Sequence, residues 1–294
     1  MKKFDLAKSL IKKSEYVFSC PLCQSPMKVS FESNSLICKK NHCFDLSKNG
    51  YINLLPHSIK SEYGKEMLES RNTLCKSGFF HPMTKSVSDL IIKTMAPFNK
   101  KNIQMLDAGC GEGSHLKDIL SNTNVSSKSN FKGIGIDISK EGIHIASREY
   151  QDAIWSVADL SKMPFKDNAF DIILSILSPS NYSEFNRLLS SSGFLIKVIP
   201  GSDYLLELRS ILYNNTDKEK YSNERVINHF SNNFNIVATE KVNYTAYLDA
   251  SLFKHLIKMT PLSWNITDNK IKEALSLNIE KITVDLLILI GKKK

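Results

Sequence analysis

From about residue 102 onward, short apolar runs alternate with amphipathic stretches, one of each in turn. Residues 103–107, 133–137, 153–158, 170–176 and 194–199 read as buried strands. Between them, 114–120 and 140–149 carry helical periodicity, the second behind a capping Ser139. Strands that alternate with helices predict a doubly wound, mainly parallel α/β sheet with its ligand at the strands' C-terminal ends. Upstream, 65–74 reads as a helix with Met67, Leu68 and Leu74 as its apolar positions. A break at 77–82 precedes a second helix over 83–95, with Val87, Leu90, Ile91 and Met95 on one stripe.

The first sixty residues follow a different rule. Four of the six cysteines crowd into positions 20, 23, 38 and 43. Cys20 and Cys23 enclose two residues; fourteen more lead to Cys38, and three separate Cys38 from His42. Two ligand pairs on short turns close a tetrahedral thiolate/imidazole site, and the gap between them holds a β-hairpin. The alternating segments 27–31 and 35–38 around 32–34 supply that hairpin. A disulfide is disfavoured in a reducing compartment. His42 is the favoured fourth ligand and Cys43 the alternative. Four protein ligands leave no open position, so the site is read as structural zinc. An Asn-Gly turn and a short apolar strand lead to Pro56, and the polar stretch 57–64 is the expected module boundary. The expected division is therefore 1–60 for the zinc module, 61–100 for a helical linker and 101–294 for the α/β domain.

Composition narrows the class of partner. The 294 residues are 42% hydrophobic and 23% charged, which excludes wholesale disorder. No apolar run is long enough for a spanning helix, and the first residues lack a secretory h-region, so a cytoplasmic protein without a membrane partner is expected. Net charge is +9, and residues 1–65 hold eleven lysines against five acids. A basic terminal module points to a polyanion, nucleic acid first.

The turn after the first strand of the α/β region reads Asp107-Ala-Gly109-Cys-Gly111-Glu-Gly113. Alternate glycines let the backbone pass close beneath a ligand, and such a run alone could serve a dinucleotide. Here, however, an acid stands two positions before the first glycine, and the third glycine comes one position earlier than in the dinucleotide fingerprint. Asp137 ends the next strand, where a carboxylate accepts hydrogen bonds from ribose hydroxyls. Asp159 closes the third, within reach of an adenine amino group. This set resembles the Rossmann-like S-adenosylmethionine (SAM)-dependent methyltransferases, in which acids hold the nucleoside and favour a cationic sulfonium. The C-terminal segments 234–244 and 279–290 fit the terminal antiparallel hairpin of that class. An insertion over 245–278 separates them; one so long in a compact domain covers a site or grips a substrate. Ser178 and Asn181, after the fourth strand, are the candidate contacts to a substrate base; no general base is assigned.

Zinc module and methyltransferase region together resemble the bacterial 23S rRNA (guanine-N1)-methyltransferases, some of which confer macrolide resistance. The matching text is Cys-Pro-Leu-Cys at 20–23, Cys38 to His42, 44–56, 107–113, Pro200-Gly201 with 204–209, and Met-Thr-Pro-Leu-Ser-Trp at 259–264. The resemblance implies zinc on Cys20, Cys23, Cys38 and His42, and cofactor contacts at Gly111 and Glu112. It also implies cofactor contacts at Phe80, where the family can have tyrosine, and at Tyr204, where it can have histidine. A homodimer whose two zinc modules form an RNA cleft is implied as well. The rival reading is a small-molecule methyltransferase whose zinc module docks a partner.

Overall fold

A computed structural model describes residues 3–30, 32–57 and 64–294. Helix α1 (Lys3–Ser14) opens the chain, and three short strands follow: β1 (Met27–Ser30), β2 (Ser35–Cys38) and β3 (Cys43–Asp45). They pair antiparallel in the order β1-β2-β3, with Met27 opposite Cys38, as the hairpin pattern predicts. Phe31, the expected last residue of the first hairpin strand, lies outside the described residues, as does most of the expected boundary at 57–64.

Strand β4 (Tyr51–Asn53) leaves this small sheet and joins the large one. It runs parallel to β7 (Ala153–Val157), with Tyr51 opposite Trp155. The front module is thus hydrogen-bonded into the α/β domain, and Ile11, Val17 and Phe18 pack in the same core as Ile154 and Phe165. Helices α2 (Lys65–Lys76) and α3 (His81–Met95) also pack on the main core, through Leu74, Phe80, Met83, Val87 and Ile91. Pro82 stands in the first turn of α3, where its missing N–H costs nothing, so the helix starts earlier than the break at 77–82 suggests.

The remaining strands are β5 (Asn102–Ala108), β6 (Asn130–Asp137), β8 (Phe170–Ile176), β9 (Leu189–Pro200), β10 (Phe234–Tyr247) and β11 (Lys281–Lys293). The sheet order is β10-β11-β9-β8-β5-β6-β7-β4, parallel from β9 to β4. β10 and β11 are the expected antiparallel hairpin at its other side. Strand residues alternate between the two faces: Met105, Ile172 and Leu174 pack on one, Leu106 and Ile173 on the other.

Helices α4 (Ser114–Ser126) and α5 (Lys140–Glu149) cross from β5 to β6 and from β6 to β7; α6 (Tyr182–Leu188), α7 (Leu206–Leu212) and α8 (Glu224–Asn233) follow. The insertion between β10 and β11 folds as α9 (Ala250–Met259) and α10 (Asp268–Ser276), with α9 against α2. The chain turns outward from β5 to β6 and returns to β8 beside β5, so the crevice opens where the loops after β5 and β8 meet. Among the described residues no helix is long and apolar enough to cross a membrane.

Candidate active site and metal centre

The two knuckles bring Cys20, Cys23, Cys38 and His42 together, with one ligand atom from each within 4.8 Å of the others. Cys23 and Cys38 sulfurs are 3.6 Å apart, and His42 Nδ1 lies 3.4 Å from Cys20 Sγ and 3.5 Å from Cys38 Sγ. Zinc–sulfur bonds of ~2.3 Å in a tetrahedron give edges of about 3.8 Å, so the cluster has the dimensions of a closed zinc site. Cys43 is exposed, and its sulfur contacts Asp45 at 3.7 Å. Strand β3 starts at Cys43 and carries that side chain away, so His42 completes the set.

The glycine turn begins where β5 ends. Gly109 has φ +82°, and a Cβ there would lie 2.8 Å from Ser178 Cβ, so only glycine lets the two loops touch. Ser178 Oγ donates to the Ala108 carbonyl at 2.8 Å and fixes that contact. Asp137, at the end of β6, accepts from Gly111 N at 2.8 Å and from Ser139 N at 2.7 Å. Burial raises its pKa, against those two backbone donors. Asp107 is buried beneath the turn; desolvation, with the neighbouring Asp137 and Glu112 charges, pushes its pKa up to about 7 against the pull of Arg71.

Gly109, Gly111, Asp137 and Ser178 line one cavity of about 360 Å³, a size typical of small-ligand sites. Phe80 and Tyr204 form part of its wall. Phe80 stands edge-on to His115 with centroids 5.0 Å apart, and Tyr204 is packed against the same core. Met259, Thr260 and Pro261 line it as well, so the insertion does border the site. Arg71 of α2 lines it too, its Nε 3.2 Å from Glu112 Oε1 and its Nη2 3.2 Å from His115 Nδ1. Its buried Nε has no hydrogen bond of acceptable geometry. Glu112 is fully buried, accepts from Ser114 N at 3.0 Å, and does not line the cavity. Three carboxylates, Asp107, Glu112 and Asp137, therefore surround one guanidinium. Of these three only Asp137 lines the cavity, beside Arg71; a carboxylate for ribose hydroxyls and a guanidinium for an amino-acid carboxylate fit SAM.

Comparison with known proteins agrees. Residues 18–62 match the zinc-ribbon family described as "RlmA, N-terminal", and 99–257 match a methyltransferase domain. A Bacillus subtilis protein provisionally named 23S rRNA (guanine-N(1)-)-methyltransferase YxjB is 42% identical over 279 residues, 94% of this chain and 97% of that protein. The Streptomyces fradiae 23S rRNA (guanine(748)-N(1))-methyltransferase is 29% identical, over 84% of this chain and 85% of its own. The chain belongs to the 23S rRNA (guanine-N1)-methyltransferase family. Its fold is that of a SAM-dependent methyltransferase behind a zinc ribbon.

In this family member the remaining candidates sit outside the cavity. Asp159 is half-buried and accepts from Ser161 N at 2.7 Å, closing its own turn. Asn181 caps α6 by accepting from Glu184 N at 3.3 Å, and donates to Leu160 O at 3.1 Å. Arg71, His115, Lys197 and Tyr221 line the cavity and were not anticipated from sequence. Arg71 lies on a helix read only for its apolar stripe. Lys197 had a usable signal: a single charge inside an apolar strand that a parallel sheet buries on both faces.

Proposed function

We propose that this methyltransferase transfers a methyl group to N1 of a guanine in a hairpin loop of 23S rRNA, with SAM as donor. One observation carries the reading: a single cavity joins the glycine turn and Asp137 to Ser178, Lys197 and the 259–261 segment, behind a basic Cys3His ribbon. When bound, SAM supplies an electrophilic methyl group on a positive sulfur. Asp137 would hold the ribose hydroxyls, because a carboxylate has about four lone-pair sites and two remain after Gly111 and Ser139. Gly109 and Gly111 would leave space for the ligand, and Phe80 and Tyr204 would flank it. Arg71 would pair with the amino-acid carboxylate, held in place by Glu112.

Transfer from sulfur to nitrogen is an in-line displacement, so the chain's main task is orientation. N1 lies in the Watson–Crick edge, and the target must be unpaired or flipped out to enter. Ser178 is the polar group at the meeting of the two loops and is placed in the role of base contact, while Asn181 keeps the following helix in register. Zinc on Cys20, Cys23, Cys38 and His42 would cross-link the ribbon, which recognises RNA through its lysines. We further infer a homodimer, the arrangement that the family resemblance implies, acting in the cytoplasm.

The test is methylation of transcribed 23S rRNA with labelled cofactor, followed by mapping of reverse-transcriptase stops. N1 methylation blocks pairing, so a new stop at one guanine is expected. No label on any RNA would sink the reading, and label on a small molecule would favour the rival one. Light scattering of the purified chain tests the dimer.

A further inference from the structure

Lys197 lies on β9, register-paired with Ser175 of β8 and Leu289 of β11, in the middle of the sheet. It is 4% exposed and lines the cavity. Its Nζ donates to Ser180 Oγ at 2.6 Å, to Ser178 O at 3.2 Å and to Ser175 Oγ at 3.3 Å. All three acceptors are neutral, and among the described residues no carboxylate forms an ion pair with the ammonium within 4.0 Å. Burial alone holds its pKa down, to about 8. The other titratable groups of the cavity, Asp137, His115, Arg71, Tyr204 and Tyr221, are not among the causes of that shift.

An unpaired buried charge is costly, and methionine would fill the position without one. The charge sits directly behind the loop that meets the glycine turn. That loop leaves β8 through Leu177 in the left-handed region, φ +51°, and Ser178 then bonds to the end of β5. Lys197 and Ser178 thus form the part of the wall beside the cofactor turn where a purine edge would lie.

We propose that Lys197 makes guanine N1 nucleophilic, acting through the 177–180 loop as a positioning residue; this rests on the function proposed above. Neutral guanine carries a proton on N1. As the N1–H bond breaks, the proton passes to water and negative charge spreads over N1 and O6. The N1 electron pair forms the bond to the methyl carbon, and the carbon–sulfur pair returns to sulfur, leaving a neutral thioether. A fixed positive charge behind Ser178 and Ser180, away from bulk water, lowers the energy of the developing anion. The Ser178 carbonyl accepts from Nζ and holds the ammonium at the cavity wall.

The experiment measures methylation of the 23S transcript by the full chain from pH 6.5 to 9.5, for wild type, Lys197→Met, Lys197→Gln and Lys197→Arg. Calorimetry with S-adenosylhomocysteine checks the cofactor site of each. At pH 7 the neutral variants should lose about tenfold to a hundredfold in kcat with KM for RNA nearly unchanged, while Lys197→Arg retains most activity. The deficit should shrink toward pH 9.5, because the wild-type ammonium titrates away and N1 ionises unaided. A deficit equal at every pH, or lost S-adenosylhomocysteine binding in both neutral variants, assigns Lys197 to the fold and overturns the proposal. A wild-type chain inactive on RNA removes the proposed function itself, and the Lys197 role with it.

Discussion

Arg71 on α2 and Glu112 in the glycine turn stand 3.2 Å apart, guanidinium Nε to carboxylate Oε1. The contact ties a helix expected to be a linker to the heart of the cofactor turn. Glu112 is fully buried, so removing Arg71 strands a carboxylate with Ser114 as its remaining hydrogen-bond donor of normal strength. Arg71→Leu is expected to cost ~3–5 kcal/mol of stability, the usual loss when a buried pair is broken from one side. Removing both partners, as Arg71→Leu with Glu112→Leu, should restore much of it. Urea unfolding of the two variants decides; a double variant no more stable than Arg71→Leu would refute the stranded-charge account.

Asp137→Ala removes the acceptor for Gly111 N and Ser139 N together with the proposed ribose contact. Affinity for S-adenosylhomocysteine should fall by ~1–3 kcal/mol, the range for loss of a charged acceptor. Isothermal calorimetry reads this directly, and unchanged affinity would remove Asp137 from the cofactor site.

The buried Asp107 carboxyl, with its pKa raised to about 7, makes the chain pH-sensitive. Because the folded value lies above the unfolded one, near 3.9, its contribution to stability is complete below about pH 4 and lost as pH rises through about 7. Asp107→Asn abolishes that dependence, so its stability relative to wild type should improve from pH 5 to pH 8. A cationic ligand favours the ionised form, so SAM binding near pH 6.5 should release protons and tighten toward pH 8. Calorimetry in buffers of different ionisation enthalpy counts those protons; none released would exclude Asp107 as the group sensed.

Cys23→Ser takes one corner from the ribbon's cluster. Metal content should fall from one equivalent toward zero, and residues near 18–45 should lose hydrogen-exchange protection. The cofactor cavity, lined by the glycine turn and the loop after β8, should still bind S-adenosylhomocysteine. Retention of one equivalent of metal would refute the ligand set.

Much of this was legible in the chain because local rules govern it. The Cys20–Cys23 and Cys38–His42 spacings are properties of short turns, and the apolar runs from 103 to 199 are long enough to be strands in any surroundings. The glycines and acids at strand ends follow from the same local geometry. Glu112 looked like its neighbours in the turn, yet its side chain leaves the cavity for Arg71 and Ser114. Asn181 looked like a substrate contact and caps a helix.

Sequence alone determined the ribbon's Cys/His cluster apart from the choice between His42 and Cys43, the strand–helix alternation and the glycine turn. Each depends on residues close together in the chain. Tertiary structure decided that β4 extends the large sheet, that α2 brings Arg71 to Glu112, and that Lys197 lies beneath Ser178 and Ser180. Those relationships join segments far apart in sequence, and no periodicity or spacing encodes which buried charge will meet which partner. Packing selects them, through the free energy of burying apolar faces around them.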